Sequence, residues 1–390
     1  MITFEEAYRI VMCHVNFSPT ERVNMMDCLG RILAEDIHSD TDMPPFNKSA
    51  VDGFAFRTAD LGRDLKIIET IPAGKLPEFR VTEGKCSRVM TGALLPEGSD
   101  CVVMVEDTQI LNNEMMRLTA KPDLPNVCYQ GEDIKAGDVV LAKGTLIKPQ
   151  HIALLASAGA VDPKVFKQLH VGILSTGDEL VEPEHLPSPS RIRNTNAYQL
   201  IAQVAKTGAI PQYGGIASDT EISLSAMLAD SLDRNNIVLL TGGVSMGEFD
   251  YVPKAMEKLD IKILFKSIAI QPGKPTVFGK RRDQFIFGLP GNPVSTFVVY
   301  EVLVKPFLLR TMGCHEEPLI IRLPLGTSVK RKNSLRKLLI PIRIENGLVF
   351  PIEYHGSAHL NAYIEAKGMI AIDAGNTELV KGEMTDVRFL

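Results

Sequence analysis

Lysine and arginine build no extended basic surface signature in this chain. They are scattered, the formal net charge is −5, and the basic footprint that a polynucleotide partner needs is missing. No apolar run approaches the length that crosses a bilayer, so neither a nucleic-acid nor a membrane partner is expected. Zinc-ligand spacing is absent as well. The six cysteines (Cys13, Cys28, Cys86, Cys101, Cys128 and Cys314) include no Cys-x-x-Cys pair, and the adjacent Cys314-His315 cannot close a site alone. They read as reduced, buried or inert thiols of a cytoplasmic protein. A secretory signal is also missing: Thr3-Phe-Glu-Glu6 is a capping box ahead of Ala7, Ile10, Val11 and Val15, which predicts an amphipathic helix.

What is present is an ordinary globular composition, 45% hydrophobic and 23% charged, over 390 residues, which is too long for one core. An extended piece over Arg31–Ile37 ends at the prolines of Met43-Pro-Pro-Phe46, where a boundary is expected. Short alternating runs at Phe54–Arg57, Lys66–Glu69, Cys86–Met90 and Cys101–Glu106 then predict a β-rich segment. Pro149 to Gly159 has the proline start and glycine end of a helix, so that segment reads as inserted into a helical and extended one. From about residue 168 strands at Val171–Leu174, Ile210–Ile216, Ile237–Leu240 and Ile261–Phe265 alternate with helices. One helix, Thr195 to Gly208, is capped at both ends, and another starts at the capping box Ser218-Asp-Thr-Glu221. Beyond about 316 the helical period disappears, and strands are expected at Ile320–Leu323, Lys337–Ile344, Leu348–Ile352, Met369–Ile372 and Val387–Leu390.

The predicted fold class is therefore multidomain α/β. Residues 1–46 plus 131–167 form a discontinuous N-terminal helical and extended domain, and 47–130 an inserted β-rich domain. A central α/β domain with a mostly parallel sheet spans 168–316, and a small C-terminal β domain spans 317–390.

The richest stretch is Asn235–Ser295. Two apolar segments run into glycine turns, Ile237-Val-Leu-Leu-Thr-Gly-Gly-Val-Ser-Met-Gly247 and Phe285-Ile-Phe-Gly-Leu-Pro-Gly-Asn-Pro-Val-Ser295, each reading as strand, tight turn and helix. Glycines let the backbone approach a ligand, and a helix start offers free N–H groups to an anion, which describes a phosphate cradle. Ligands of a parallel sheet bind at the carboxyl ends of its strands, where all the glycine turns are expected to fall. Ser175-Thr-Gly-Asp-Glu179 and Ser218-Asp219 end two further strands, so Glu179, Asp219 and Asp250 can share that crevice. Three carboxylates repel an anion unless a divalent cation such as Mg²⁺ bridges them to phosphate. Lys274 in Gln271-Pro-Gly-Lys-Pro275 adds an ammonium.

These segments, with Pro44-Pro-Phe-Asn-Lys-Ser-Ala-Val-Asp-Gly-Phe-Ala55, Val89-Met-Thr-Gly-Ala93 and Gly131-Glu-Asp-Ile134, together resemble the molybdopterin molybdotransferases, the molybdenum-insertion family that includes the gephyrin E domain. The resemblance implies a four-domain elongated homodimer whose central domain has the molybdopterin-binding fold. It implies an enzyme that takes adenylylated molybdopterin and molybdate, releases AMP and uses Mg²⁺. Carried over residue by residue, the catalytic positions are Asp52, Thr91, Asp133, Glu179, Asp219, Asp250 and Lys274, with Glu179, Asp219 and Asp250 as metal ligands. Ser175, Thr176, Gly177, Gly242, Gly243, Ser245, Pro290, Gly291, Pro293 and Ser295 are the pterin-binding positions. In such dimers Asp52, Thr91 and Asp133 of one chain face Glu179 and Asp250 of the other. The molybdopterin adenylyltransferase and downstream cofactor-handling proteins are the implied protein partners.

Three departures stand out. Gln271 replaces a lysine common in relatives, leaving Lys274 as the only ammonium of its turn. Asn194-Thr195-Asn196 replaces the usual Asp-Ser-Asn. In the last segment only Gly356-Ser357-Ala-His-Leu360 resembles a family turn, so an oxyanion role for Ser357 has little support. Three other readings compete. Gly243-Val-Ser-Met-Gly247 fits a nucleophile elbow, which would make Ser245 the nucleophile of a hydrolase with His315, His355 or His359 as base. The alternating module alone resembles an adenylyltransferase of molybdopterin, against which residues 1–165 argue. A non-catalytic scaffold like gephyrin would carry long linkers that this chain lacks. Asp219 can also be read simply as a helix cap.

Overall fold

The computed structural model describes residues 1–112, 114–120, 125–244, 251–353 and 360–390. Helix α1, Phe4–Met12, starts as expected: the Thr3 hydroxyl accepts the Glu6 amide at 3.1 Å, and the helix buries Ala7 and Val11. The segments on either side of residues 47–130 pair with one another. Thr20–Arg22 is antiparallel to Lys164–Phe166, and Ile37–His38 to Val139–Leu141. Helix α2, Pro149–Ser157, covers this part, and Gly159 just beyond it has φ +70°.

Between those paired segments lies a six-stranded sheet in the order Cys101–Met104, Gly53–Phe56, Lys85–Val89, Leu65–Ile71, Met115–Leu118, Thr108–Leu111. Its central strand is buried on both faces. Phe54 and Phe56 pack with Leu65, Cys86, Val103 and Met116, while Ala55 packs on the other side with Ile71, Val89 and Val102, as the two-residue alternation of a strand demands. The run expected through Glu106 stops at Met104, because its partner strand begins at Gly53; Val105–Asp107 turns into a 3₁₀ helix there.

The second six-stranded sheet positions the site. Its order is Ile210–Ala217, His170–Thr176, Ile237–Thr241, Gln284–Leu289, Val277–Arg281, Lys262–Phe265. The first four strands are parallel, Val277–Arg281 runs antiparallel to both of its neighbours, and Lys262–Phe265 runs with the first four. Ile237 and Leu239 face α3 (Thr195–Lys206) and α6 (Pro293–Val299), while Val238 and Leu240 face α4 (Glu221–Arg234) and α5 (Val252–Lys258). The strand is therefore continuously apolar because both faces are covered. Helix α7, Lys305–Thr311, brings Phe307 against Phe278, Phe285 and Phe287.

One local expectation is corrected. The cap of α4 is Thr220, whose hydroxyl accepts the Ser223 amide at 3.2 Å, and not Ser218, since the strand Ile210–Ala217 and the Asp219 turn use the preceding residues. The Gln271–Pro275 turn lies at the carboxyl edge but is reached from both directions: it follows Lys262–Phe265, which runs with the parallel strands, and precedes the antiparallel strand Val277–Arg281, whose first residue pairs with Gly288. Ile270–Gln271 itself pairs with Lys337 and Leu338 of a third sheet, in the order Ile270–Gln271, Lys337–Glu345, Gly368–Ile372, Met384–Phe389, Ile320–Pro324. Among the described residues no helix is long and apolar enough to cross a membrane.

The cysteines are unpaired. Cys28, Cys86, Cys101 and Cys314 are buried, Cys128 is half-buried and Cys13 is exposed. Burial pushes the Cys86 and Cys101 thiols up to about 12.

Candidate functional site

At the carboxyl edge of the parallel strands lies a cavity of about 360 Å³. Its floor is Thr176, Thr241 and Gly242, one wall is Gly291, Asn292 and Pro293, and the other is Glu179 with Arg193–Asn196. Two glycines fix its shape. Gly242 has φ +93°, and a Cβ there would lie 2.4 Å from the Thr176 carbonyl oxygen, so no other residue fits. Gly291 stands opposite it, where a Cβ would lie 3.8 Å from the Gly242 Cα, an ordinary contact. The two glycine turns thus face each other across a gap with bare backbone on both sides.

Polar side chains hold the turns together. Asn196 donates through Nδ2 to the Thr241 hydroxyl at 2.8 Å and to the Gly291 carbonyl at 2.7 Å, and the Thr241 and Thr296 hydroxyls both donate to the Pro290 carbonyl. The Gly291 carbonyl can only accept, which fixes the amide orientation of Asn196. Its Oδ1 is buried and has no partner among the described residues, an open acceptor in the crevice wall. Ser175, fully buried, donates to Asn194 Oδ1 at 3.0 Å. Thr296 was not foreseen; its nearest sequence signal is its place beside Ser295 in the glycine-proline turn. Ser295 is buried in α6.

The carboxylates differ in their freedom. Asp219 accepts the Thr176 hydroxyl at 2.7 Å and the Asp178 amide at 3.3 Å, and its own amide donates back to Asp178 at 3.2 Å. It ties two strand ends together and is not a helix cap, that role falling to Thr220. Glu179 lines the cavity, and no ion pair engages it among the described residues. A Cβ on Gly177 would meet Glu179 Oε2 at 2.5 Å, so the turn places that carboxylate over bare glycine backbone. Asp250 and Ser245 lie outside the described residues, as do Ser357, His355 and His359. Among the described residues no three Asp, Glu, His or Cys side chains gather as a metal cluster. His315 packs over Gly144, not on the crevice.

Asp52, Thr91 and Asp133 do not line this cavity. Asp52 Oδ1 accepts both the Thr91 amide, at 2.6 Å, and the Thr91 hydroxyl, at 2.8 Å, on the sheet that contains Gly53–Phe56. Those two donors, the amide first, hold the Asp52 carboxyl below the usual carboxylate range. A depressed carboxyl stays ionised through the neutral range, and the stabilisation it brings is present above the ordinary value and lost as pH falls through the depressed one. Thr91→Val deletes one donor and keeps the amide, so the Asp52 titration is expected to move to higher pH, readable by carboxyl-carbon NMR. An unmoved titration would assign the effect to the amide alone.

Lys274 is also absent from the cavity wall and is exposed. Lys274 is the one ammonium of its turn, and a guanidinium joins the turn from outside it: Arg336 Nη2 donates to Gln271 Oε1 at 3.3 Å, because the pairing of Gln271 with Leu338 carries Arg336 alongside. A guanidinium from the third sheet thus stands beside the glutamine.

Residues 2–159 match the family described as MoeA N-terminal region (domain I and II), and residues 172–310 the one described as probable molybdopterin binding domain. The molybdopterin molybdenumtransferase of Bacillus subtilis is 38% identical over 328 residues, 81% of this chain and 76% of its own. That of Staphylococcus epidermidis is 33% identical over 400 residues, covering 99% and 95%. The crystal structure of the molybdopterin biosynthesis moeA protein from Pyrococcus horikoshii OT3 superposes with a TM-score of 0.86 at 30% identity over the whole of both chains.

Proposed function

This chain belongs to the molybdopterin molybdenumtransferase (MoeA) family and transfers molybdenum in cofactor biosynthesis, and we propose that it does so on adenylylated molybdopterin, with release of AMP, in the crevice between Gly242 and Gly291. The observation that carries the reading is that crevice: opposed bare-backbone turns and, among the described residues, an acceptor on Asn196 without a partner and a carboxylate on Glu179 without an ion pair. The pterin phosphate lies against Gly242 and Gly243, with Pro290 and Pro293 stiffening the facing turn and Ser175, Thr176 and Ser295 supporting the floor. Asn196 Oδ1 accepts from a donor edge of the heterocycle. Glu179 would hold Mg²⁺, with Asp250 as the second ligand that the family resemblance implies, and the metal would supply Lewis-acid neutralisation of the phosphoanhydride. Asp219, already engaged by Thr176 and Asp178, keeps the Glu179 turn in place. A second copy of the chain completes the crevice with Asp52, Thr91 and Asp133, since these residues reach it from no part of their own chain. The buried thiols and the lack of a membrane-length helix among the described residues suit a cytoplasmic setting.

The test is AMP release from adenylylated molybdopterin on addition of Mg²⁺ with molybdate or tungstate. Release of AMP is expected, and its absence with either oxyanion sinks the reading. At the Gln271 turn, Lys274 and Arg336 both face the oxyanion. Removing either charge from a partly exposed pair of cations costs on the order of 1 kcal/mol. Lys274→Gln and Arg336→Gln are each expected to raise half-saturating molybdate several-fold at low salt, with a smaller effect at high salt. A molybdate dependence unchanged in both variants removes the turn from the oxyanion site.

A further inference from the structure

We propose that Arg193 is a phosphate-binding residue of the crevice, gripping a phosphate group of the nucleotide-linked substrate; this rests on the reading that such a substrate binds there. Among the described residues, Glu179 and Arg193 are the charged side chains that line the cavity. A phosphoanhydride esterified at both ends carries two negative charges, and Glu179 with nearby Asp219 repels them. Arg193 is the cation available on the wall.

Its geometry is prepared for this. Arg193 Nε donates to the Pro183 carbonyl at 2.9 Å and to the His185 carbonyl at 3.2 Å, which fixes the plane of the guanidinium. No carboxylate among the described residues pairs with it, so the two Nη groups keep their donors for a forked contact with an oxyanion. The loop that supplies those carbonyls is pinned in turn. Glu182 accepts the Tyr213 hydroxyl at 2.6 Å and the Tyr198 hydroxyl at 3.0 Å, and Asn194 Nδ2 donates to the Tyr213 oxygen at 2.9 Å.

Arg193 also shares a two-rung parallel ribbon with the acid of the site. Leu180 pairs with Ile192 and Val181 with Arg193, and the Ile192 amide donates to the Glu179 carbonyl at 2.8 Å. One short ribbon therefore fixes a cation and a carboxylate relative to each other, an arrangement that suits a phosphate and the metal ion that accompanies it. An exposed arginine serving only as a surface clip would also use its Nε in this way, and the difference is measurable.

The experiment is calorimetric titration of the full-length protein with ADP and with AMP at low salt, for the wild type, Arg193→Gln and Arg193→Lys. ADP binding is expected to weaken roughly five- to tenfold in Arg193→Gln. Arg193→Lys should recover only part of this, since an ammonium keeps the charge but not the anchored fork. A larger loss for ADP than for AMP assigns the anhydride as the group gripped, and equal losses assign a single phosphate. ADP affinity within twofold of wild type in Arg193→Gln, or no binding of either nucleotide to wild type, overturns the inference. If the wild type binds ADP through Arg193 yet releases no AMP with molybdate, the phosphate site stands and the proposed reaction falls.

Discussion

Glu179→Gln is expected to fold like the parent and to lose molybdenum insertion by about a hundredfold or more, the scale on which removing a charged group from a metal-assisted site is felt. The side chain is exposed in the crevice and no ion pair holds it among the described residues, so its neutral isostere disturbs little of the packing. A hard divalent cation nonetheless requires an anionic oxygen, and an amide supplies only a weak carbonyl donor. The measurement is AMP release against Mg²⁺ concentration alongside a thermal melt. If the loss is partly recovered at high Mg²⁺, the carboxylate acts through the metal. A rate within threefold of wild type removes Glu179 from the site. Asp219→Asn makes the informative contrast: it deprives the Thr176 hydroxyl and the Asp178 amide of a charged acceptor, so a lowered melting temperature should accompany its loss of activity.

The second large effect is a recovery. Asp52→Asn alone should be inactive, because the charge set by its two Thr91 donors is removed. Mixed with Glu179→Gln under conditions of subunit exchange, it should regain activity if each crevice takes Glu179 from one chain and Asp52 from the other. Random exchange makes half the dimers mixed, and each mixed dimer owns one intact crevice of two, so about a quarter of wild-type activity is expected. No recovery after exchange has been verified by labelled subunits would argue that the crevice is built within one chain.

The strands of the central sheet were legible because covering both faces of a parallel strand forces an uninterrupted apolar run, as at Ile237–Leu240, and the turns were legible because only glycine fits where Gly242 meets Thr176. Thr108–Leu111 and Met115–Leu118 passed unread. They form a half-exposed hairpin at the sheet edge, where little burial disciplines the sequence. The same limit applied to the site. Glu179 and the glycine turns sit where strands end, a position that pattern reading can find. Arg336 reaches Gln271 only because a strand from 65 residues further along pairs beside it. The fixed Nε of Arg193 depends on carbonyls of a proline-bearing loop whose course no periodicity encodes. Asp219 looked like a cap since its position in the chain permits one, and hydrogen bonding across two strand ends decided otherwise.

The thiols have a chemical meaning of their own. A thiolate, not a thiol, is what captures a metal centre, and Cys86 and Cys101 are held protonated far above neutral pH, with Cys28 and Cys314 also raised by burial. In a protein that transfers molybdenum, those four thiols are thereby kept from capturing the metal. The exposed Cys13 lies on the last turn of chain after α1, outside the crevice, where an alkylating dye would mark the protein without touching that transfer.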